Sequence, residues 1–158
     1  MKLLIAALLL LGTTGAFAQE SAIELLRHDI TTEKVSILTE SLPLTEKEGE
    51  AFWPLYRAYD VELAKLGDRR IAVAKKIATD YDKMDDKTAE QLVKESFKIA
   101  GEKNSLLKKY YDKIAKAIGP IKAGRFLQIE YQLITLLEAE MIDQVPLVKV
   151  KPAQESKK

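Results

Sequence analysis

The chain contains no cysteine. That absence excludes thiol catalysis, thiolate metal sites, redox switching and disulfide cross-links together. There is one histidine, His28, beside Asp29. No third ligand follows at helical spacing, so a His–Asp metal or acid–base pair competes with an ordinary surface or capping role. Glycine and proline number only seven and five in 158 residues, which leaves little to interrupt long helices. Neither sign of charge prevails: 25 Lys and Arg stand against 24 Asp and Glu. A balance so near zero gives no general attraction to nucleic acid. No G-x-S-x-G, P-loop or H-E-x-x-H pattern occurs, so the sequence points away from an enzyme and names no cofactor or metal.

Long apolar runs are also missing. Leu3 to Leu11 is apolar behind Met1-Lys2, but spanning a bilayer takes roughly 20 residues. Ala16-Phe17-Ala18 then offers a small-residue cleavage site before Gln19. This predicts a secretory signal peptide over 1–18, the alternative being a retained membrane anchor. No cysteine stands at the cleavage point to make a lipoprotein. Losing 1–18 removes only Lys2 and leaves 24 basic against 24 acidic residues. The expected mature protein is periplasmic, with one domain over 19–144 and a flexible tail over 145–158. In an oxidising compartment, a chain without cysteine must be held by packing alone.

What is present is helical periodicity. The fold class expected is all-α: a long antiparallel helical hairpin with a short N-terminal helix and a C-terminal apolar helix. The short helix covers about Thr32 to Ser41, with Thr31 as N-cap and Val35, Leu38 and Leu42 on one side; Ile23, Leu25, Leu26 and Ile30 precede it as an apolar arm. The second runs from about Glu46 to Thr79, on the order of 50 Å at 1.5 Å per residue. Thr45 and Glu48 form a capping box at its start. Its seam is Phe52, Tyr56, Tyr59, Leu63, Leu66, Arg70, Val73 and Ile77, a heptad-like line broken only by Arg70. Pro54 lies beyond the first turn and removes a helix hydrogen bond, which predicts a kink.

Asp85 or Asp86 caps the third helix, about Lys87 to Ile118. It carries two apolar lines. One is Leu92, Ser96, Ile99, Lys103, Leu106 and Tyr110, with Ser96 and Lys103 as polar breaks; the other is Val93, Phe97, Ala100, Asn104, Leu107, Tyr111, Ile114 and Ile118, broken by Asn104. Two lines imply two neighbours, or one neighbour and a partner. Gly119-Pro120 ends the helix and starts a fourth, to about Asp143, where Pro146 stops it. Phe126, Leu127, Ile129, Leu133, Ile134, Leu136, Leu137, Met141 and Ile142 spread around much of that helix, as in a buried helix or a dimer interface.

The acids Asp80, Asp82, Asp85 and Asp86 resemble a calcium loop superficially. Such a loop needs Gly at its sixth position and Glu at its twelfth, where this chain has Asp85 and Gln91. Capping and solvation explain them instead. Nine basic residues from Lys94 to Arg125 face only Glu95, Glu102 and Asp112. They read either as a solvated, ion-paired helix face or as a basic surface for an acidic client or anionic membrane. Trp53 lies off the seam, so it either closes the core's edge or belongs to an exposed patch.

Leu44-Thr45-Glu46-Lys47-Glu48, at the head of a long charged helix, resembles the L-T-x-x-Q motif of the CpxP/Spy-like periplasmic protein family, with Glu48 in place of Gln. Phe52-Trp53-Pro54-Leu55-Tyr56-Arg57 and Arg125-Phe126-Leu127-Gln128-Ile129-Glu130 resemble an uncharacterised exported branch near that family. The second motif expected around Ile118 to Lys122 is not matched literally. The resemblance covers about residues 40–140. It implies a bent helical hairpin, a cradle-like antiparallel homodimer, and a role in envelope stress: holding unfolded proteins without ATP, or restraining a sensor kinase, with some relatives binding metals. The candidate protein-binding residues are Trp53, Arg57, Lys98, Lys109 and Lys113. The partners expected are unfolded or envelope proteins; the competing reading is a structural or regulatory protein that docks on one envelope partner.

Overall fold

The computed structural model describes residues 32–142, with side chains described as far as residue 139. The expected signal peptide, the apolar arm, His28, the Thr31 cap and the tail lie outside the described residues. The described chain is all-α, with no strand among the described residues. It divides into two compact units, with the boundary between Pro43 and Leu44. The first unit contributes α1, residues 32–41. Its last turn closes through Leu42 N–H donating to the Leu38 carbonyl at 2.9 Å. Leu38 and Leu42 are buried, whereas Val35 on the same side is exposed.

The second unit holds α2 (Glu46–Thr79), α3 (Asp86–Ile118) and α4 (Pro120–Ile142). Each boundary has a local cause. Glu48 N–H donates to the Thr45 hydroxyl, and Thr45 N–H donates to the Glu48 carboxylate at 2.8 Å, so two orphan donors of the first turn are satisfied reciprocally. Asp85 caps α3 by accepting from Thr88 N–H at 2.8 Å. Gly119 ends α3 and begins α4: its N–H reaches the Ala115 carbonyl at 3.0 Å, and its own carbonyl accepts from Ala123 N–H at 3.1 Å. Its φ of 87° and ψ of 155° suit glycine alone. A Cβ there would meet nothing within 4 Å, so the requirement is one of backbone conformation and not of space. Pro120 follows at the first helical position, where a missing N–H costs nothing. α2 continues without interruption across Pro54, whose ring is exposed.

α3 runs antiparallel to α2, and α4 returns parallel to α2. Cross-links fix this order. From start to end, α4 meets successive turns of α2 through Lys122 to Glu48, Phe126 to Phe52, Glu130 to Tyr59 and Glu138 to Arg70. The core sits where all three helices overlap. Phe52, Tyr59, Ile114 and Phe126 are fully buried there. The Phe126 ring stands edge-on to Phe52 and Tyr59, each with centroids 5.7 Å apart, and Tyr59 meets Tyr110 of α3 at 5.5 Å. Such pairs add about 0.5–1.5 kcal/mol each beyond the area they bury. Tyr59 donates to the buried Glu130 carboxylate at 2.9 Å. Burial, and then the neighbouring carboxylate, push the Tyr59 phenol far above its ordinary range. Further out, the seam residues Leu63, Leu66, Val73 and Ile77 are only half-buried; Val73 and Ile77 lie beyond Arg70, the last α2 residue that α4 reaches by an ion pair.

Glu48 ties the start of α2 to the start of α4. Lys122 Nζ donates to both of its carboxylate oxygens, at 2.7 and 2.6 Å. That contact, followed by the Thr45 hydrogen bonds, lowers its pKa from 4.5 to about 2. A carboxylate with a depressed folded pKa contributes stability that is complete above about 4.5 and lost as pH falls toward about 2. Glu48→Gln keeps an acceptor for the capping box but not the charge. Urea unfolding followed between pH 5 and 2 is predicted to show a shallower acid loss in Glu48→Gln than in the wild type, with helix content unchanged.

Candidate protein-binding surface

The candidate residues fall on opposite sides of the hairpin. Trp53 and Arg57 are one turn apart on α2. Glu62, nine residues beyond Trp53, lies half a revolution away at 3.6 residues per turn, on the flank that faces α3. Trp53 is half-buried. Its ring packs edge-on against Phe52 at 5.1 Å and Tyr56 at 5.7 Å, and its indole edge lies 3.8 Å from the position of a Gly49 Cβ. Gly49 denies α2 the usual hydrophobic staple, and a Cβ there would make only ordinary contact with this indole. Trp53 thus extends the aromatic core to its edge. Arg57 is exposed on the same side.

Lys98, Lys109 and Lys113 lie on the other flank. Glu62, Lys98, Gly101, Glu102, Ser105, Leu106 and Lys109 line an open groove of about 520 Å³ between α2 and α3. Leu106, itself buried, lines the groove beside the small residues Gly101 and Ser105. Lys109 Nζ donates to both Glu62 oxygens at 2.9 and 2.8 Å, and Tyr110 Oη donates to Glu62 at 2.7 Å. These two donors hold the Glu62 carboxyl below its usual range. Burial, and then Glu62, push the Tyr110 phenol up to about 12. Lys113 Nζ sits 4.8 Å from the Tyr110 ring centroid, a cation–π placement. The structure therefore brings Lys98 and Lys109 into one groove with Lys113 beside it, and leaves Trp53 and Arg57 apart from them.

The basic run of α3 and α4 is largely matched by carboxylates. Lys94 pairs with Glu90, Lys103 with Glu138, Lys108 with Asp112, Lys109 with Glu62 and Lys122 with Glu48. Arg69 bridges Glu95 and Glu102 across the hairpin. The ion-paired reading of this face thus describes most of it, and Coulombic capture at long range is correspondingly weak.

The doubled stripe of α3, read as two neighbours or as one neighbour and a partner, leaves apolar surface exposed. Phe97 is 75% exposed, Val93 54% and Leu136 64%. Val93 and Ala100 share a heptad line with Leu107 and Ile114; α4 covers the second pair and not the first. Ile129 and Leu136 repeat this on α4, buried and then exposed. The doubled stripe of α3 was the available signal. Where its cover stops depends on the end of α4, which periodicity alone does not place against α3. Among the described residues, no helix is long and apolar enough to cross a membrane, and no three His, Cys, Asp or Glu side chains are grouped to hold a metal.

Replacing Glu62 by Gln removes the carboxylate shared by Lys109 and Tyr110. NMR titration of the tyrosine ring carbons is predicted to show the Tyr110 pKa falling below about 12 but staying raised, because burial, the larger cause, remains, while that of Tyr59 stays high. Comparison with family models, with curated proteins and with solved structures found no match for this chain.

Proposed function

We propose that this protein is a non-enzymatic periplasmic binding protein, an ATP-independent chaperone-like protein or envelope-stress adaptor that holds other proteins on its helix faces. The observation that carries this reading is the exposed line of α3. Phe97 and Val93 stand in solvent, with Lys94 one turn from Phe97 on the same face and Lys98 adjacent in sequence. An apolar side chain with Lys94 and Lys98 as sequence neighbours suits an unfolded segment: the ring supplies short-range burial, and the cations bias register and partner choice. The groove beside Lys98 and Lys109 is open, as a chain-binding surface requires. The Leu44–Glu48 resemblance supports the same reading, as does the expected signal peptide. A bend at Pro54 and pairing of two copies would make the surface concave and larger. With no nucleotide involved, release follows from weak binding or from the client burying its own apolar surface.

A second reading has its own observation. Ile121 and Leu136 of α4 are exposed at 88% and 64%, and a single envelope partner docking there would make the protein a dedicated regulator.

The test is aggregation of a chemically denatured client, followed by light scattering with and without the mature protein. Suppression at stoichiometric ratio is expected, together with its loss in Phe97→Asp and its retention in Ile121→Asp. Aggregation that is unaffected by the wild type contradicts the chaperone form. Suppression lost only in Ile121→Asp moves the binding face to α4.

A further inference from the structure

The exposed line of α3 is complementary to itself. Four, seven and eleven residues to either side of Phe97 stand Val93 and Gly101, Glu90 and Asn104, and Asp86 and Lys108. At about 100° per residue, all of them fall within about 40° of the Phe97 direction. All are exposed. α2 takes one flank of α3, through Arg69 with Glu95 and Glu102 and through Lys109 with Glu62. α4 covers Leu107 and Ile114 on another flank, yet Asn104 and Lys108 beside them stay exposed. The line is therefore open from Asp86 to Lys108, about 33 Å at 1.5 Å per residue. Read in chain order, it is acidic, then apolar, then polar and basic.

That order selects an antiparallel copy of the same line. Reversed and centred on Phe97, a second copy sets Phe97 against its own equivalent, Val93 beside Gly101, Glu90 beside Asn104 and Asp86 beside Lys108. A branched side chain then meets a glycine, and the acidic end meets the basic end. A register one heptad away would set Phe97 against Glu90 or against Asn104. A parallel copy would set Asp86, Glu90 and Lys108 each against its own charge, which is unfavourable. Within one chain, Glu90 pairs with Lys94 and Lys108 with Asp112. Both are exposed pairs one turn apart, of the kind that contributes little, so Lys108 turns to a new carboxylate at small cost. Lys94 and Lys98 lie to the side of the line, in solvent.

We infer that two copies of this chain pair through residues 86–108 of α3, antiparallel, with Phe97 on the two-fold axis. Such a contact uses the same patch on both molecules, so it closes as a dimer and does not propagate. One pair of helix faces of this length lies at the low end of the roughly 1,200–2,000 Å² that stable interfaces bury, so the dimer is weak and exchanges readily. A cradle would leave the binding face open, whereas this pairing covers Val93 and Phe97. A second copy and a client therefore exclude each other on α3, and dilution or client binding opens the face. The pairing uses the surface of the binding reading but not its function, and its test contains no client, so each can fail without the other.

Sedimentation equilibrium of the mature protein over a concentration series tests the pairing. A reversible monomer–dimer equilibrium is expected, weakened about tenfold or more by Phe97→Asp and unchanged by Ile121→Asp on α4. Asp86→Lys and Lys108→Asp are each expected to weaken it several-fold, and the two together to restore it. Damage to the helix start by Asp86→Lys would not be repaired 22 residues away, so the rescue separates pairing from folding. A monomer throughout, a dimer indifferent to Phe97→Asp, or charge reversals that do not rescue each other overturn the proposal. The absence of cysteine gives a second readout. Val93 lies roughly 12 Å along the axis from its own equivalent in this register, and a disulfide needs Cα atoms within about 7 Å. Mild oxidation is expected to link two chains in the double variant Val93→Cys, Gly101→Cys and not in Val93→Cys alone. Equal linking in both, or none in the double variant, overturns the register.

Discussion

The Phe126 ring is where the three long helices become one structure. It is fully buried and stands edge-on to Phe52 and Tyr59, and Tyr59 in turn meets Tyr110 of α3. Without that ring, α2 and α3 form a two-helix hairpin whose seam has only one facing partner. Truncating a buried aromatic costs about 3–5 kcal/mol, a large share of the about 5–15 kcal/mol that holds a typical domain. Exposed ion pairs give about 0–1 kcal/mol each. Burial around Phe126 therefore supplies the cohesion, and the ion pairs decide where along α2 the fourth helix settles.

That division explains Arg70 and Glu48. Arg70 interrupts an otherwise apolar seam, and the structure places it against Glu138, which Lys103 also reaches. Glu48 serves the capping box and receives Lys122. α4 is thus pinned at its first turn and near its last, with Phe126 and the Tyr59–Glu130 hydrogen bond between. A shift of one turn along α2 would separate both ion pairs and strip Glu130 of its Tyr59 donor inside the core, where an unmatched carboxylate is costly. The same register fixes where α4 ends, and hence which part of α3 keeps its apolar face uncovered. The exposed apolar face of α3 is a consequence of that length mismatch.

How much of this could be read from the sequence follows from the range of each interaction. The capping box at Thr45 and Glu48, the Asp85 cap and the Gly119-Pro120 corner are encoded within a few residues, and the helix limits match them closely. The seam showed Phe52, Tyr56 and Tyr59 as core because heptad spacing is itself local. Partners 47 to 74 residues apart leave no such trace: Glu62 with Lys109, Tyr59 with Glu130 and Glu48 with Lys122 became visible only in three dimensions. Trp53 was ambiguous because it sits beside the seam, and the fold settles it as the half-buried edge of the aromatic cluster. The lysines were legible as a basic run, but not the carboxylates that neutralise most of it.

The central claim is that cohesion is concentrated where α4 overlaps the hairpin and falls away beyond it. Hydrogen exchange resolved by residue tests this most directly. Amides of Tyr56–Leu63, Leu106–Ile118 and Ala123–Ile134 should exchange only through global unfolding. Those of residues 70–79 and 90–97 should exchange faster by about tenfold or more, through local opening of the far end. Equal protection along the whole of α2 and α3, or greater protection at the far end, would contradict the account.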